Sequence, residues 1–375
     1  MFHWHRFIAV LMKEFVQMRR DRLTFAMMIG VPVMQLVLFG FAINLDPKGL
    51  PAAVVSADAS IFSRRLMSAL EQSGYFRVVA QPATVAEADR MLAAGRVQFV
   101  IHLPEDFSRR LQRGERPALL VEADATDPAA TSNALAALQG LSASVLDRDL
   151  SGPLAAQAAG PPPFDVILHR RYNPEGITQY NIVPGLMGVV LTMTMVMMTS
   201  IAMTRERERG TMENLLATPV RPLEVMVGKI VPYIVVGYVQ VVVILLAARF
   251  VFDVPMVGSL LLLSGVLVFF IATNLAIGFT FSTFAKNQMQ AMQMTMFFFL
   301  PSMLLSGFMF PFRGMPGWAQ ALGQVFPLTH FLRIVRGILL KGSSAADVLP
   351  HLGPLAVILG VVSMFALVRY RRTLD

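Results

Sequence analysis

Long uncharged runs bounded by charged residues dominate the pattern of hydrophobic and polar positions along the chain. A helix needs about 20 apolar residues to cross the hydrocarbon core of a bilayer, so runs of this length predict membrane-spanning helices. The predicted spans are residues 23–45, 177–204, 230–248, 254–285, 287–312 and 348–368. The sequence therefore predicts an α-helical polytopic membrane protein with six transmembrane helices.

The residues before the first span have a different pattern, in which apolar side chains recur at helical spacing. Basic and polar residues lie on the opposite side of this predicted helix. An amphipathic helix of this kind lies along a membrane surface, and we predict that residues 1–22 do so. An ordinary soluble amphipathic helix is the alternative. The apolar positions are Trp4, Phe7, Leu11, Phe15 and Met18.

The stretch between the first two spans, residues 46–176, is rich in charged residues of both signs and is long enough for one domain. AAVVSAD and VQFVIHLP are typical of buried strands, whereas SRRLMSALEQSG and AEADRMLAAG are typical of helices that end at glycine. This alternation predicts an inserted α/β domain of about four strands. Residues 151–163, rich in Ala, Gly and Pro, predict a flexible hinge before the second span.

Charge fixes the predicted orientation. The chain is 55% hydrophobic and 15% charged, with a formal charge of +8. Its basic residues cluster beside the apolar runs, which is typical of topology signals rather than of a nucleic-acid surface. Basic flanks favour the cytoplasm, so both termini, with the tail 369–375, and the loop 205–229 are predicted inside and the insert outside. The sequence thus predicts a multi-pass membrane protein with both termini in the cytoplasm.

The segment 313–347 breaks this charge rule, because Arg313, Arg333, Arg336 and Lys341 fall on the predicted outer side. Prolines interrupt it too often for a straight span, yet it has too many apolar residues for a solvated loop. We predict a re-entrant pair of short helices there, with its arginines extending toward the headgroups.

The loop after the second span begins RERERGTMENLL. Charged residues are too costly at a bilayer centre, so this run is predicted to lie in the cytoplasm. As a helix it would carry ion pairs of spacing three and four beside an apolar spot, a suitable docking surface. A merely solvated loop is the alternative for any such charge run.

Catalytic signatures do not emerge from the sequence. The chain has no cysteine, which excludes thiol chemistry and disulfides. His102, Glu105 and Asp106 are close in sequence but lack the spacing of a hydrolase or metal site. The sequence Gly228-Lys229 is followed by Ile and lacks the upstream glycine of a P-loop. We therefore expect no catalytic, metal or cofactor site, and no ATP hydrolysis by this chain alone.

The series RERERGTMENLLATPVRPLEVMVGKIVPY resembles the cytoplasmic loop of ABC-2-type transporter permeases, in the multidrug-efflux-like branch with a large external domain between the first two spans. Other segments match in order: KEFVQMRRDRLTF, FGFAINLD, RYNP, KNQMQA, LPSMLLSGFMFPFRGMP and FPLTHFLRIVRGILLKG. The resemblance covers nearly the whole chain and implies an ABC-2, or type V exporter-like, fold.

The resemblance implies a permease subunit that couples ATP hydrolysis by a separate ABC ATPase subunit to efflux of an apolar or amphipathic substrate, for example a drug. It implies a second permease chain, identical or not, and allows a periplasmic adaptor protein; ATP would be bound by the partner. The implied ATPase-coupling residues are Arg205, Glu206, Arg207, Glu208, Arg209, Gly210, Met212, Glu213, Leu215 and Leu216, and the implied outer gate is Phe326, Phe331 and Arg333.

A membrane receptor or scaffold is the alternative function. Its external domain would sense a ligand and its cytoplasmic loop would recruit a partner without transport. A cytoplasmic signalling domain would distinguish this class, and the predicted inner parts are too short to hold one.

Overall fold

The computed structural model describes residues 47–58, 60–146, 162–209 and 222–372. In these ranges the chain forms an α/β part, which we call the insert, followed by a bundle of long helices. Three predicted features lie wholly or largely outside the described residues: the surface helix 1–22, the first span 23–45 and the hinge 151–163.

One mixed sheet of five strands forms the centre of the insert, as far as it is described. The strands are β1 (Leu50–Ser56), β2 (Phe76–Ala80), β3 (Phe99–Leu103), β4 (Ala118–Asp124) and β5 (Asp165–Arg171). Their order is β2-β1-β3-β4-β5. β1 is parallel to both of its neighbours, β4 is antiparallel to β3, and β5 is parallel to β4.

The sequence pattern predicts about four strands, but the segments it identifies include neither of the two edge strands, β2 and β5. The side chains of β5 are exposed or half-buried along its whole length. It is an edge strand with the sequence DVILHRR, so it lacks the continuous apolar run that identifies a buried strand.

Four helices accompany the sheet in the described part of the insert: α1 (Ile61–Gln72), α2 (Val85–Ala93), α3 (Phe107–Gln112) and α4 (Pro128–Ser144). Polar side chains cap three of them, since Ser60, Thr84 and Asp127 each accept a hydrogen bond from a backbone N–H three residues later. Phe76 and Phe99 form an edge-to-face pair in the core, with ring centroids 5.1 Å apart.

The insert joins the bundle through the RYNP sequence directly after β5. Tyr172 has a φ of 68°, and the wholly buried Asn173 follows it. The Asn173 side chain accepts the N–H of Ile177 at 2.8 Å and donates to the Ile177 carbonyl at 2.9 Å. These two hydrogen bonds close a tight turn at the start of the next helix.

The bundle contains five long helices and two short ones among the described residues. The long helices are α5 (Thr178–Glu208), α6 (Pro222–Phe250), α7 (Leu260–Phe284), α8 (Gln288–Leu305) and α11 (Ala345–Arg372). The short helices are α9 (Gly317–Gly323) and α10 (Pro327–Arg336), and a π-helical turn follows at Gly337–Lys341.

Of the described helices, four are long and apolar enough to cross a membrane: Thr178–Glu208, Pro232–Phe250, Leu260–Phe284 and Ala345–Arg369. They correspond to the second, third, fourth and sixth predicted spans. The fifth predicted span, 287–312, is helical only over α8, which is not among the four. Six spans therefore remain a prediction.

Two predicted span boundaries differ from the structure. The span predicted from residue 254 begins as a helix only at Leu260, because the Ser259 side chain caps it by accepting the N–H of Leu262. The span predicted to reach residue 312 ends at Leu305, since Gly307 turns the chain with a φ of 86°. The spacing of charged residues along the sequence could not reveal either the helix cap at Ser259 or the turn at Gly307.

The outward faces of α6 and α11 are apolar and exposed. On α6, Val235, Val239 and Val243 are each 59% exposed. On α11, Val357 and Met364 are 64% and 69% exposed. Apolar surface on this scale is typical of helices covered by lipid or by another chain.

Candidate functional site

The charged run RERER continues a long helix without a break. α5 extends through Glu208, and Arg209 is its C-cap residue. The remaining predicted coupling residues, Gly210, Met212, Glu213, Leu215 and Leu216, lie outside the described residues. The described part of the predicted coupling site is thus the last turn of an apolar helix.

Glu208 in this last turn binds the start of α8. One carboxylate oxygen accepts the backbone N–H of Gln288 at 2.9 Å, and the other accepts its side-chain amide at 2.6 Å. A helix N-terminus carries unpaired N–H groups and a partial positive charge, so a carboxylate there is favourable. The same interaction lowers the pKa of the Glu208 carboxyl, with the side-chain hydrogen bond of Gln288 as the main cause.

Two arginines of the same turn reach the same region. The Arg205 Nε donates to the Gln288 side-chain oxygen at 3.4 Å, and the Arg207 guanidinium donates to the Thr283 carbonyl at 3.5 Å. The end of α5 is therefore attached to both the end of α7 and the start of α8.

KNQMQA carries part of the family resemblance, but local sequence patterns do not predict its contact with RERER. A local signal does mark this point as a helix start. Asn287 accepts the N–H of Gln290 at 2.8 Å, while the Gln290 side chain accepts the N–H of Lys286 at 2.9 Å. This reciprocal pattern resembles a capping box and fixes where α8 begins, although it does not identify what α8 meets.

Farther along the two helices from the Glu208–Gln288 contact, α5 and α7 pack with their backbones very close together. A Cβ atom added to Gly278 would lie 2.5 Å from the backbone oxygen of Val196. Thr280 and Thr204 nearby satisfy their hydroxyl groups by donating to carbonyls one turn earlier in their own helices. The two helix backbones are therefore in direct contact at this point, with no room for a side chain between them.

The predicted outer gate residue Phe331 lies at the centre of the bundle. It is fully buried, and its ring stacks on Phe270 of α7 with centroids 4.0 Å apart and planes 11° apart. A Cβ atom added to Gly188 of α5 would lie 2.8 Å from the Phe331 ring. α10 is therefore held between α5 and α7 by a side chain without access to solvent.

The side chains of the other two predicted gate residues, Phe326 and Arg333, are less buried than that of Phe331. Phe326 is the N-cap residue of the helix and is half-buried, with its ring centroid 5.6 Å from that of Phe298. The Arg333 guanidinium lies over the ring of Phe312 at 4.5 Å. α9 and α10 are the pair of short helices that the sequence predicted for 313–347; their depth in a bilayer stays a prediction.

The turn after α10 binds the insert directly. Lys341 forms an ion pair with Asp124 at the end of β4, at 2.5 Å and with both side chains about nine-tenths buried. Its Nζ also lies 5.2 Å from the ring centroid of Tyr172. Arg313 donates to the Gly95 carbonyl at 2.7 Å. The insert and the segment 313–341 thus share a polar interface.

A separate polar cluster lies on the sheet around Glu122 of β4. The Glu122 carboxylate lies 3.0 Å from the Nε2 of His102, 3.2 Å from the Nδ1 of His169 and 2.9 Å from the Nε of Arg171. Burial favours the neutral carboxyl, but the hydrogen bond with His102 and the charge of Arg171 outweigh it and hold the pKa of Glu122 below its usual value.

His102 is thus paired across the sheet rather than with Glu105 and Asp106, its neighbours in sequence. Asp106 instead lies 3.8 Å from Arg109. Among the described residues there is no group of three His, Cys, Asp or Glu side chains arranged to hold a metal ion.

Residues 22–368 match the family described as "ABC-2 family transporter protein". The chain belongs to this family of membrane transporters.

Similar individual proteins are found in Escherichia coli K12. The chain is 28% identical over 349 residues to "Probable multidrug ABC transporter permease YbhS", which covers 91% of this chain and 90% of that protein. It is 27% identical over 369 residues to "Probable multidrug ABC transporter permease YbhR", covering 98% and 99%. It is 30% identical over 362 residues to "Inner membrane transport permease YhhJ", covering 91% and 93%.

Proposed function

We propose that this chain is the permease subunit of an ABC-2 exporter, in which a separate ATPase subunit hydrolyses ATP and the chain converts that event into export. One observation carries the proposal within the family. RERER forms the end of α5, and its side chains form hydrogen bonds with Thr283 of α7 and Gln288 of α8. A partner that pushes on this turn acts on three helices together.

The route from this turn to the outer segment is continuous. α5 packs on α7 at Gly278, and both helices contact α10 through Phe331. Rigid elements in direct contact can pass a displacement between two packed states. We therefore propose that movement of α5 and α7 changes the position of α10, which would act as the outer gate.

The partners follow from the same proposal. The sequence lacks a P-loop, so an ABC ATPase subunit would bind ATP and dock on residues 205–216. A second permease chain, identical or different, would cover part of the apolar surface of α6 or α11. The loop 205–229 and both termini would lie in the cytoplasm of a bacterial cell, with the insert outside the inner membrane, where an adaptor could reach it.

The substrate class is proposed from the relatives and from the lining of the bundle. Two relatives carry "multidrug" in their names, and the described helices hold apolar and uncharged polar side chains at their centre. Both favour an apolar or amphipathic substrate over a simple ion.

Affinity purification of the tagged chain from native membranes tests the proposal. We expect an ABC ATPase to co-purify, and the complex in liposomes to hydrolyse ATP and export an amphipathic dye. The variant Glu206→Lys should lose the ATPase or the coupling of hydrolysis to export. Glu105→Lys, an equal charge change at an exposed position of the insert, is the matched control. Full coupling in Glu206→Lys would place the docking surface elsewhere.

A further inference from the structure

A cavity of about 410 Å³ lies where the insert meets the bundle. The end of α2, the residues after β4 and the start of α4 form one side of it. α9, α10 and the start of α11 form the other side. This volume falls within the range of roughly 300–1,000 Å³ that is usual for small-ligand sites.

Four arginine and lysine side chains line this cavity, together with His351: Arg313, Arg333, Arg336 and Lys341. Of these four, Lys341 alone has a carboxylate partner among the described residues, in the ion pair with Asp124 described above. Within the described ranges, none of the three arginines has a carboxylate at ion-pair distance. Three fixed positive charges therefore face one small space.

The arginines are held in place by neutral groups. Arg313 and Arg333 bind the Gly95 carbonyl and the Phe312 ring, as described above. One terminal nitrogen of Arg336 donates to the Gly307 carbonyl at 3.1 Å. Its Nε and its other terminal nitrogen are buried and have no hydrogen-bond partner among the described residues. Buried donors without acceptors are costly, so this guanidinium retains unused binding capacity.

Two other carboxylates line the cavity, and both are engaged in capping helices. Asp127 accepts the N–H of Ala130 at 3.4 Å and the side-chain amide of Asn181 at 3.3 Å. Asp347 accepts both the N–H and the hydroxyl of Ser344, at 2.9 and 2.7 Å. Burial raises the pKa of the Asp127 carboxyl, and the charge of Arg336 offsets this only in part. The positive charge of the arginines is thus incompletely balanced.

We propose that this cavity binds a phosphate group through the guanidinium groups of Arg313, Arg333 and Arg336. Guanidinium groups match phosphate oxygens in a planar, bidentate geometry, and the attraction is strong where water is partly excluded. The group could belong to a lipid head or to a free anion, since both present the same oxygens.

Calorimetry on the full-length chain tests this proposal without any ATPase, so its outcome is independent of the proposed transport function. The chain is placed in nanodiscs of phosphatidylcholine and titrated with inorganic phosphate, with dihexanoyl phosphatidic acid and with dihexanoyl phosphatidylcholine. We expect saturable binding of at least one of the first two probes, weakened by added salt, and weaker binding of the zwitterionic probe.

Three variants identify the site. Arg333→Gln should weaken binding at least tenfold, and Arg333→Lys should weaken it less, because it keeps the charge but not the bidentate geometry. Asp347→Asn should tighten binding severalfold, since it removes a negative charge and keeps an acceptor for Ser344. Arg109→Gln, which removes an exposed arginine of the insert, should leave affinity unchanged. Tighter binding cannot result from misfolding.

Binding of inorganic phosphate would identify a free anion as the ligand, and binding of phosphatidic acid alone would identify a lipid head; either result supports the site. The proposal is overturned if neither probe binds saturably to the wild-type chain. It is equally overturned if Arg333→Gln and Arg109→Gln bind the probe with the same affinity.

Discussion

The carboxylate of Glu208 holds both amide groups of Gln288, so the last turn of α5 caps the first turn of α8. The two residues are 80 positions apart in the sequence. This contact joins the end of α5 to the start of α8 at one end of the bundle. The charged turn therefore has a structural role in holding these two helices together.

The first prediction concerns this junction. Glu208→Gln and Gln288→Ala should each reduce ATPase-coupled export severalfold in the reconstituted complex, because each weakens the contact between α5 and α8. Glu208→Gln removes the carboxylate charge, and Gln288→Ala removes the side-chain amide but leaves the backbone N–H of residue 288. The double variant should lose less than the sum of the two single losses, since both act on the same contact. Export assays on the four proteins measure this, and purely additive losses would contradict it.

A second prediction concerns the contact of α5 with α7. Gly278→Ala should destabilise the chain by about 1–3 kcal/mol, because the new methyl group meets the Val196 carbonyl, which is backbone and cannot rotate away. Gly265→Ala on the same helix is the control, since a Cβ there has nothing within 4 Å. Thermal unfolding in detergent compares the two variants. Equal unfolding midpoints would contradict the prediction, because they would show that α5 and α7 can separate slightly without loss of stability.

Phe331 gives a third prediction. Phe331→Ala should cost about 3–5 kcal/mol of stability, because a fully buried ring stacked on Phe270 is lost. Phe326→Ala should cost less, because Phe326 is only half-buried. If both variants instead assemble with unchanged thermal midpoints and only alter basal ATPase activity, Phe331 acts as a movable gate and not as a packing residue.

A fourth prediction concerns orientation. The chain has no cysteine, so single cysteines can be labelled without background. Ala83→Cys on the insert and Arg209→Cys at the end of α5 are both at exposed positions. An impermeant maleimide should label residue 83 in intact spheroplasts and residue 209 only after permeabilisation. Labelling of residue 209 in intact spheroplasts would reverse the proposed topology.

The fifth prediction concerns pH. Because the pKa of Glu122 is lowered in the folded insert, its contribution to stability is complete above the ordinary carboxyl pKa. That contribution is lost as the pH falls through the lowered value. Amide-exchange protection of β3 and β4, corrected for the intrinsic rate, should therefore fall more steeply on acidification in the wild type than in Glu122→Gln. Parallel profiles would mean that the cluster does not stabilise the sheet.

Much of the bundle follows from the sequence, because long uncharged runs leave a helix as the only way to satisfy backbone groups in lipid. The ends of the spans do not follow, since a single cap such as Ser259 or a left-handed glycine such as Gly307 decides them. In the insert, the central strands β1 and β3 were recognisable by their apolar runs, whereas the edge strands β2 and β5 were not.

The candidate site was predictable only as separate pieces. RERER and KNQMQA could each be recognised, but their contact depends on how α5 and α7 pack, which local patterns do not encode. The buried position of Phe331 and the pairing of Lys341 with Asp124 are likewise contacts between parts distant in sequence. Such contacts are properties of the tertiary fold.

The turn at Asn173 has a mechanical consequence. Its two hydrogen bonds to Ile177 connect the end of the edge strand β5 to the start of α5, the helix whose other end carries RERER. If α5 tilts, as the proposed coupling requires, we expect the sheet to rotate with it. β2 is the strand farthest from this connection, so we expect the largest displacement there.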